Sequence, residues 1–228
     1  MRIIFVRHGH PNYADDCLTP LGHLQAEAAA QRLQQEGIGQ IFSSTCGRAF
    51  ETAEHTARAL SLPVVPCDFM REITWGATDD QPLFADGHPW TITDRMVEEG
   101  RSLLSADWAQ EEEFRRNRLL GCVRHIATEM DVWLAKLGYQ REGLYYRVTG
   151  DTRRTIAVFY HGGASAAMLS HLYNLPFPFV CTAMGPDYTG ITIASLPDGE
   201  GKLVAPRFEL LNDARHIQGL RAENIYGN

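Results

Sequence analysis

A three-layer α/β/α sandwich on a doubly wound, mostly parallel sheet is the fold class this sequence predicts, and three observations carry it. Short apolar runs alternate with helix-period segments in the first 70 residues, at 3–6, 40–43 and 63–66. Such alternation builds βαβ units, whose strands lie parallel with helices on the sheet faces. The plan recurs late, where a run at 155–160 precedes a helical segment at 164–173. Finally, 228 residues of 44% apolar composition suit one ordinary domain with an insertion, with ample material for a core.

Each element has a local reason. Ile3-Ile4-Phe5-Val6 is β-branched and aromatic without polar alternation, as in a strand buried on both faces. Thr19 followed by Pro20 is a helix start, a capping hydroxyl before a residue suited to the first turn. Leu21, Leu24, Ala28 and Leu33 are expected to form its apolar face and Gly37 its stop. A short strand at 40–43, a second helix at 47–60 and a strand at 63–66 follow. Residues 74–106 hold Trp75, Asp79-Asp80, Pro82, Gly87-His88-Pro89-Trp90 and Gly100 without a long period, which reads as loops and one short helix. From 107 to 137 the spacing of Leu120, Val123, Ile126, Met130, Trp133 and Leu137 predicts a helix, weakened or bent at Gly121 and stopped by Gly138. Strands at 144–148 and 155–160 are expected to flank a hairpin-like turn at Gly150-Asp151. A helix at 164–173 stops before Pro176, strands follow near 189–195 and 203–211, and the tail after Asp213 is polar. The expected organisation is one domain, 1–228, in which 74–150 forms an irregular, partly helical insertion over the carboxyl edge of the sheet.

Composition narrows the function classes. A net charge of −7 argues against a nucleic-acid surface or a polybasic membrane anchor. The first apolar run is four residues followed by Arg-His, unlike a secretory leader, and nothing approaches the roughly 18 apolar residues of a membrane span. Five cysteines without a Cys-x-x-Cys pair read as reduced thiols, so a cytoplasmic location is expected. Neither cysteines nor histidines show zinc-ligand spacing, and no metal or other cofactor is expected.

Chemistry concentrates where the first strand ends. Arg7-His8-Gly9-His10 sets an imidazole beside a guanidinium, with a glycine that permits a sharp turn close to a ligand. Arginine can clamp phosphoryl oxygens in a fork, and a neutral imidazole offers phosphorus a nitrogen lone pair. Ligands of such sheets sit beyond the carboxyl ends of the strands, where both Arg7-His8 and the distant His161 are expected to fall.

One tripeptide is weak evidence, but it stands in an ordered set: Leu18-Thr19-Pro20-Leu21-Gly22, Ser43-Ser44-Thr45-Cys46-Gly47-Arg48 leading into Glu51-Thr52-Ala53, Met70-Arg71-Glu72-Ile73, and Phe159-Tyr160-His161-Gly162-Gly163. Over 1–75 and 155–175 this set resembles the histidine phosphatase, or phosphoglycerate mutase-like, superfamily. The resemblance implies a metal-independent phosphomonoesterase acting on a small phosphorylated metabolite. In it His8 is the nucleophile that becomes a phosphohistidine, Arg7 and Arg48 clamp the phosphoryl group, and His161, with Gly162 beside it, binds its oxygens. Glu72 matches the general acid. Many relatives follow that glutamate with Phe-Gly-x-Trp-Glu-Gly, where this chain has Trp75-Gly76-Ala77-Thr78-Asp79-Asp80, so Asp79 or Asp80 could share the acid role.

His10 stands where the family commonly has Glu, Gln or Ser, and either contacts substrate or completes the turn. Asn12 and Thr19 match positions that shape the phosphate pocket, although capping alone accounts for Thr19. His23, His55, His125 and His216 read as ordinary surface or helix residues. Arg115, Arg116 and Arg118 form a basic cluster, but Glu111 and Glu112 lie four residues before Arg115 and Arg116, the spacing of a solvated helix face. Trp75, His88 and Trp90 are better candidates for substrate recognition, being aromatic residues in an irregular segment. Two other readings stand beside the phosphatase. One is a cofactor-dependent phosphoglycerate mutase, whose Arg-His-Gly-Glu-Ser and Glu-Arg-His-Tyr-Gly stretches are absent here. The other is a non-catalytic phospholigand-binding module, which need not keep the nucleophile and both arginines. Residues 74–150 would select the substrate and carry no resemblance, so its identity, like the oligomeric state, is left open.

Overall fold

The computed structural model describes residues 1–79 and 81–221. Its central sheet has six strands in the order β11-β9-β1-β8-β4-β5. These are β1 (Arg2–Arg7), β4 (Gln40–Ser43), β5 (Val64–Pro66), β8 (Thr155–Tyr160), β9 (Ile191–Ser195) and β11 (Arg207–Asp213). The pairs β1·β8, β8·β4 and β4·β5 are parallel, while β9 is antiparallel to both β1 and β11. The mostly parallel sheet predicted from the alternating runs is therefore present.

Winding on both faces shows in the side chains. Ile3 and Phe5 of β1, with Ile156, Val158 and Tyr160 of β8, face a core closed by α5 (Leu119–Lys136), α6 (Gly162–Tyr173) and α7 (Phe177–Ala183). Ile4, Val6, Ala157 and Phe159 face the opposite core, closed by α1 (Pro20–Leu33) and α2 (Gly47–Leu60). The four apolar residues of β1 are fully buried, each contributing about 1.5–3 kcal/mol on transfer from water. Residues on both faces of one strand being apolar is what turned the opening run into a central strand.

Register then places the chemistry. Arg7 pairs with Tyr160 and Ser43 with Phe159, so His8, His161 and Ser44 leave three adjacent parallel strands at one level. The His8 N–H donates to the Tyr160 carbonyl at 2.9 Å, and the Ser44 N–H to that of Phe159 at 2.9 Å. A short hairpin, β2 (Pro11–Asn12) and β3 (Cys17–Leu18), follows His10.

Several expectations are corrected. The inward face of α1 is made by Gly22, Gln25, Ala26, Ala29, Ala30 and Leu33, and Leu24 is exposed. Small residues let α1 approach α2, which moved the face away from Leu21 and Leu24 while keeping Leu33 on it. The predicted helix over 107–137 is broken into a short α4 (Glu112–Arg115) and the long α5. Between them the backbone of 116–118 bonds to 76–78, through Thr78 N–H to Arg116 O and Arg118 N–H to Gly76 O, both 2.9 Å. Buried Asn117 fixes the break, donating to Gly87 O while accepting from the N–H groups of Gly76 and Leu119. The short helix expected within 74–106 is α3 (Pro89–Glu98).

The expected hairpin at Gly150-Asp151 also moves. Strand β7 (Tyr145–Val148) pairs with β6 (Tyr139–Glu142), which follows Gly138 directly, and not with β8. The expected strand at 203–211 divides around Pro206: β10 (Leu203–Val204) joins β7 in a three-stranded sheet, and β11 becomes an edge of the main sheet. Helix α7 was not anticipated. Among the described residues no helix is long and apolar enough to cross a membrane.

Candidate active site

The site forms at the carboxyl ends of β1, β8 and β4. The turn after His8 is tight. A side chain at Gly9 would begin 2.6 Å from Gly22 O, and one at Gly22 would begin 2.2 Å from His10 O, so backbone meets backbone and neither position has room for a Cβ. This contact seats the N-terminus of α1 against the His8 loop.

His8 is buried, and its Nδ1 lies 2.7 Å from Gly9 O. A carbonyl only accepts, so Nδ1 carries the proton and Nε2 presents its lone pair. Toward that lone pair points the Nε–H of Arg48, at 3.4 Å. Burial, the His161 ring and the charges of Arg7 and Arg48 hold the His8 pKa well below the ordinary imidazole value, keeping the ring neutral.

His161 caps the start of α6, its ring centre 5.1 Å from that of His8. Its Nε2 lies 2.8 Å from Ser44 Oγ, which accepts from the Cys46 N–H and is free to donate to His161. With Ser44 donating, the proton of the neutral ring sits on His161 Nδ1, a buried atom without a hydrogen-bond partner. Burial first, then Arg48 and Arg7, also holds the His161 pKa well down.

Arg7 donates to Pro186 O at 2.7 Å and lies over the Tyr188 ring, 4.2 Å from its centre, while its buried Nε has no partner. Glu72 lies behind the start of α6. Its Oε1 accepts from Ile73 N–H at 3.0 Å and Ala164 N–H at 2.9 Å. Burial pushes its pKa up against the opposing pull of these backbone donors and of Arg7.

The structure thus brings together Arg7, His8, Arg48, Glu72, His161 and Gly162. It places the remaining predicted residues differently. Thr19 caps α1 through Gly22 N–H, and its Oγ1 lies 2.9 Å from His10 Nδ1. His10 meets the Tyr188 ring edge-on at 5.4 Å. The Asn12 amide is engaged within its own hairpin by Ala14 and Asp15. Asp79 is bound by Arg116, which holds its carboxyl at about 2 and leaves no proton to donate near neutrality. Asp80 lies outside the described residues. Arg116 also pairs with Glu112 as the helix spacing suggested, whereas Glu111 turns to Arg101.

Trp75, His88 and Trp90 do gather, with ring centres 5.1–6.3 Å apart. Trp90 and Arg7 both border Gly162: Trp90 Cζ2 and Arg7 Cζ lie 3.7 and 3.8 Å from where a side chain there would begin. Sequence reasoning missed Asp16, Ser44, Thr52 and Tyr188 as site neighbours. Thr52, which accepts from Gly9 N–H, was detectable one helical turn after Arg48. Tyr188 comes from a loop remote in sequence and gave no local sign.

Buried neutral imidazoles carry a stability consequence. Burial lowers the pKa of His8, His161, His55, His88 and His216 in the folded state. Below the ordinary value of 6.5 the unfolded chain therefore binds protons the folded chain refuses. Stability from these groups is complete above that pH and is lost on acidification. The midpoint of thermal unfolding is expected to fall between pH 7 and 5; a constant midpoint would show that these rings titrate normally when folded.

Residues 3–131 match the sequence model of the histidine phosphatase superfamily (branch 1), and the chain belongs to that superfamily. The match runs past residue 75, where the recognisable motifs stop, into the segment predicted as an insertion. A probable phosphoglycerate mutase of Yersinia enterocolitica is 33% identical over 92 residues, 36% of this chain and 43% of the relative. The match thus spans less than half the length of that curated relative. The fold is shared with a mycobacterial glucosyl-3-phosphoglycerate phosphatase, at 23% identity and a TM-score of 0.62 over 92% of this chain and 98% of the other. It is shared equally with a phosphoserine phosphatase of Entamoeba histolytica, at 19% identity and a TM-score of 0.62 over 95% and 98%.

Proposed function

We propose that the protein is a metal-independent phosphomonoesterase acting on a small phosphorylated metabolite through a phosphohistidine on His8. One observation carries the reading. The lone pair of His8 Nε2, met by the Arg48 Nε–H at a long 3.4 Å, lies amid Arg7, Arg48 and His161, and two of their buried nitrogens, Arg7 Nε and His161 Nδ1, have no protein partner. Buried donors without partners are costly, and phosphoryl oxygens would satisfy them.

The chemistry follows from these atoms. Nε2 attacks phosphorus, the bond to the leaving oxygen breaks, and that oxygen takes the proton from Glu72 Oε2. Arg7, Arg48 and His161 stabilise the charge on the equatorial oxygens. Water then attacks the phosphohistidine and gives its proton to Glu72, releasing inorganic phosphate and restoring His8. The solved phosphatases that share the fold favour water as acceptor, while the mutase name of the sequence relatives makes a second phosphoglycerate the alternative. A panel of phosphate monoesters assayed for released phosphate, with chelator present, tests this. Interconversion of 2- and 3-phosphoglycerate without release would instead establish the mutase, and binding without turnover the non-catalytic module.

The expected insertion 74–150 is not a lid throughout, since α5 and the strands after it belong to the core; in this reading the Trp75–His88–Trp90 cluster is the recognition wall that selects the leaving group. Trp75→Ala and Trp90→Ala are then expected to lower kcat/KM for the preferred metabolite at least tenfold more than for an aryl phosphate, mainly through KM. Equal losses on both substrates, with lowered thermal stability, would make the tryptophans packing residues.

A further inference from the structure

We propose that Asp16, in the turn of the β2–β3 hairpin, is the positioning residue of Arg48: its carboxylate sets the guanidinium plane that presents Nε to His8. The proposal builds on the phosphatase reading above.

The turn is built to deliver this carboxylate. Asp16 has φ +50°, a left-handed conformation that Asp tolerates better than most residues. Its Oδ2 accepts from the Gly47 N–H at 2.8 Å, and its Oδ1 pairs with Arg48 Nη1. The Asp16 carbonyl lies against the same helix start, since a side chain at Gly47 would begin 2.1 Å from it. A second anchor one strand further on, Glu51 Oε2 accepting from Leu18 N–H at 2.7 Å, fixes the hairpin along α2. The Tyr13 ring, from the same hairpin, lies 5.3 Å from Arg48 Cζ.

This arrangement answers a problem in the sequence. Arg48 is the second residue of α2, where the helix dipole opposes a cation, and its side chain is almost wholly buried. The Asp16 carboxylate, bonded to the first amide of that helix, compensates the dipole and neutralises the arginine together. With Nη1 held, the guanidinium cannot rotate about its stem, and Nε remains directed at His8 Nε2. Asp16 is itself nearly half exposed and is not among the groups surrounding His8 Nε2, so it acts through Arg48. Donors fixed before the charge develops stabilise it without reorganisation, and small misplacements are costly.

Asp16→Asn keeps an acceptor for Gly47 N–H while removing the charge, so the turn should survive. It is expected to lower kcat/KM for an aryl phosphate by about 10–100-fold, mostly in kcat. In an Arg48→Ala background the same change should cost less than about twofold, because its partner is gone. Nitrogen-15 NMR supplies a readout independent of turnover: the Arg48 Nε–H resonance, assigned by its loss in Arg48→Ala, should be sharp in the wild type and broadened in Asp16→Asn. Equal losses in both backgrounds would make Asp16 a general structural residue, and an unchanged resonance with activity within twofold of wild type would overturn the proposal. If the wild-type protein hydrolyses no phosphate ester, the phosphatase reading falls and the resonance alone decides for or against Asp16.

Discussion

Replacing His8 with alanine is expected to lower hydrolysis of an aryl phosphate by more than about 10⁴-fold, on the scale of removing a covalent nucleophile. Among the described residues we identify no other nucleophile directed into the space between Arg7, Arg48 and His161. The nearest imidazole is His161, whose Nε2 is engaged by Ser44. The substitution removes the bond from Nδ1 to Gly9 O, but the turn is also held by His8 N–H on Tyr160 O and by Gly9 N–H on Thr52. Circular dichroism should therefore be unchanged. Wild-type protein quenched during turnover should carry phosphate that is labile in acid, and the variant should carry none. Activity within tenfold of wild type, in a folded variant, would exclude a phosphohistidine at this position.

How far the sequence disclosed this site follows from the range of each interaction. Arg7-His8 and His161 were placed at one edge because each ends a run of residues apolar enough to be a central strand, a property of four to six neighbours. Arg48 was legible for a similar reason, standing at the start of a helix after such a strand. Asp16 and Tyr188 were not. Asp16 reaches Arg48 across 32 positions, and Tyr188 lies under Arg7 from a loop 181 residues away, with nothing in their own neighbourhoods to mark them. Failures in the fold have the same origin. Leu203 to Leu211 looks like one strand by composition, yet its halves belong to different sheets because Tyr146 and Arg147 offer β10 an edge. The helix break at 116–118 depends on Asn117 meeting Gly76 and Gly87, partners that helix periodicity cannot contain.

Glu72→Gln carries the second large effect. A general acid contributes roughly 10²–10⁴ in rate, and its contribution grows as the leaving oxygen becomes more basic. Loss of that proton should therefore cost an alkyl phosphate nearly the full amount and a nitrophenyl phosphate little, since nitrophenolate departs readily without help. The carboxamide still offers an oxygen to the N–H groups of Ile73 and Ala164, so the start of α6 should remain capped. The pH dependence supplies an independent reading. In the proposed mechanism turnover needs His8 unprotonated and Glu72 protonated. The lowered His8 pKa puts the acidic limb of kcat/KM below 6.5, and the raised Glu72 pKa puts the basic limb above 4.5. Glu72→Gln should erase the basic limb while leaving the acidic one, provided the substrate phosphate is fully ionised across the range or its own titration is divided out. Equal losses on both leaving groups, with the basic limb intact, would assign Glu72 to capping α6. The proton donor would then have to be sought elsewhere, and Asp79, held ionised by Arg116, is a poor source for it.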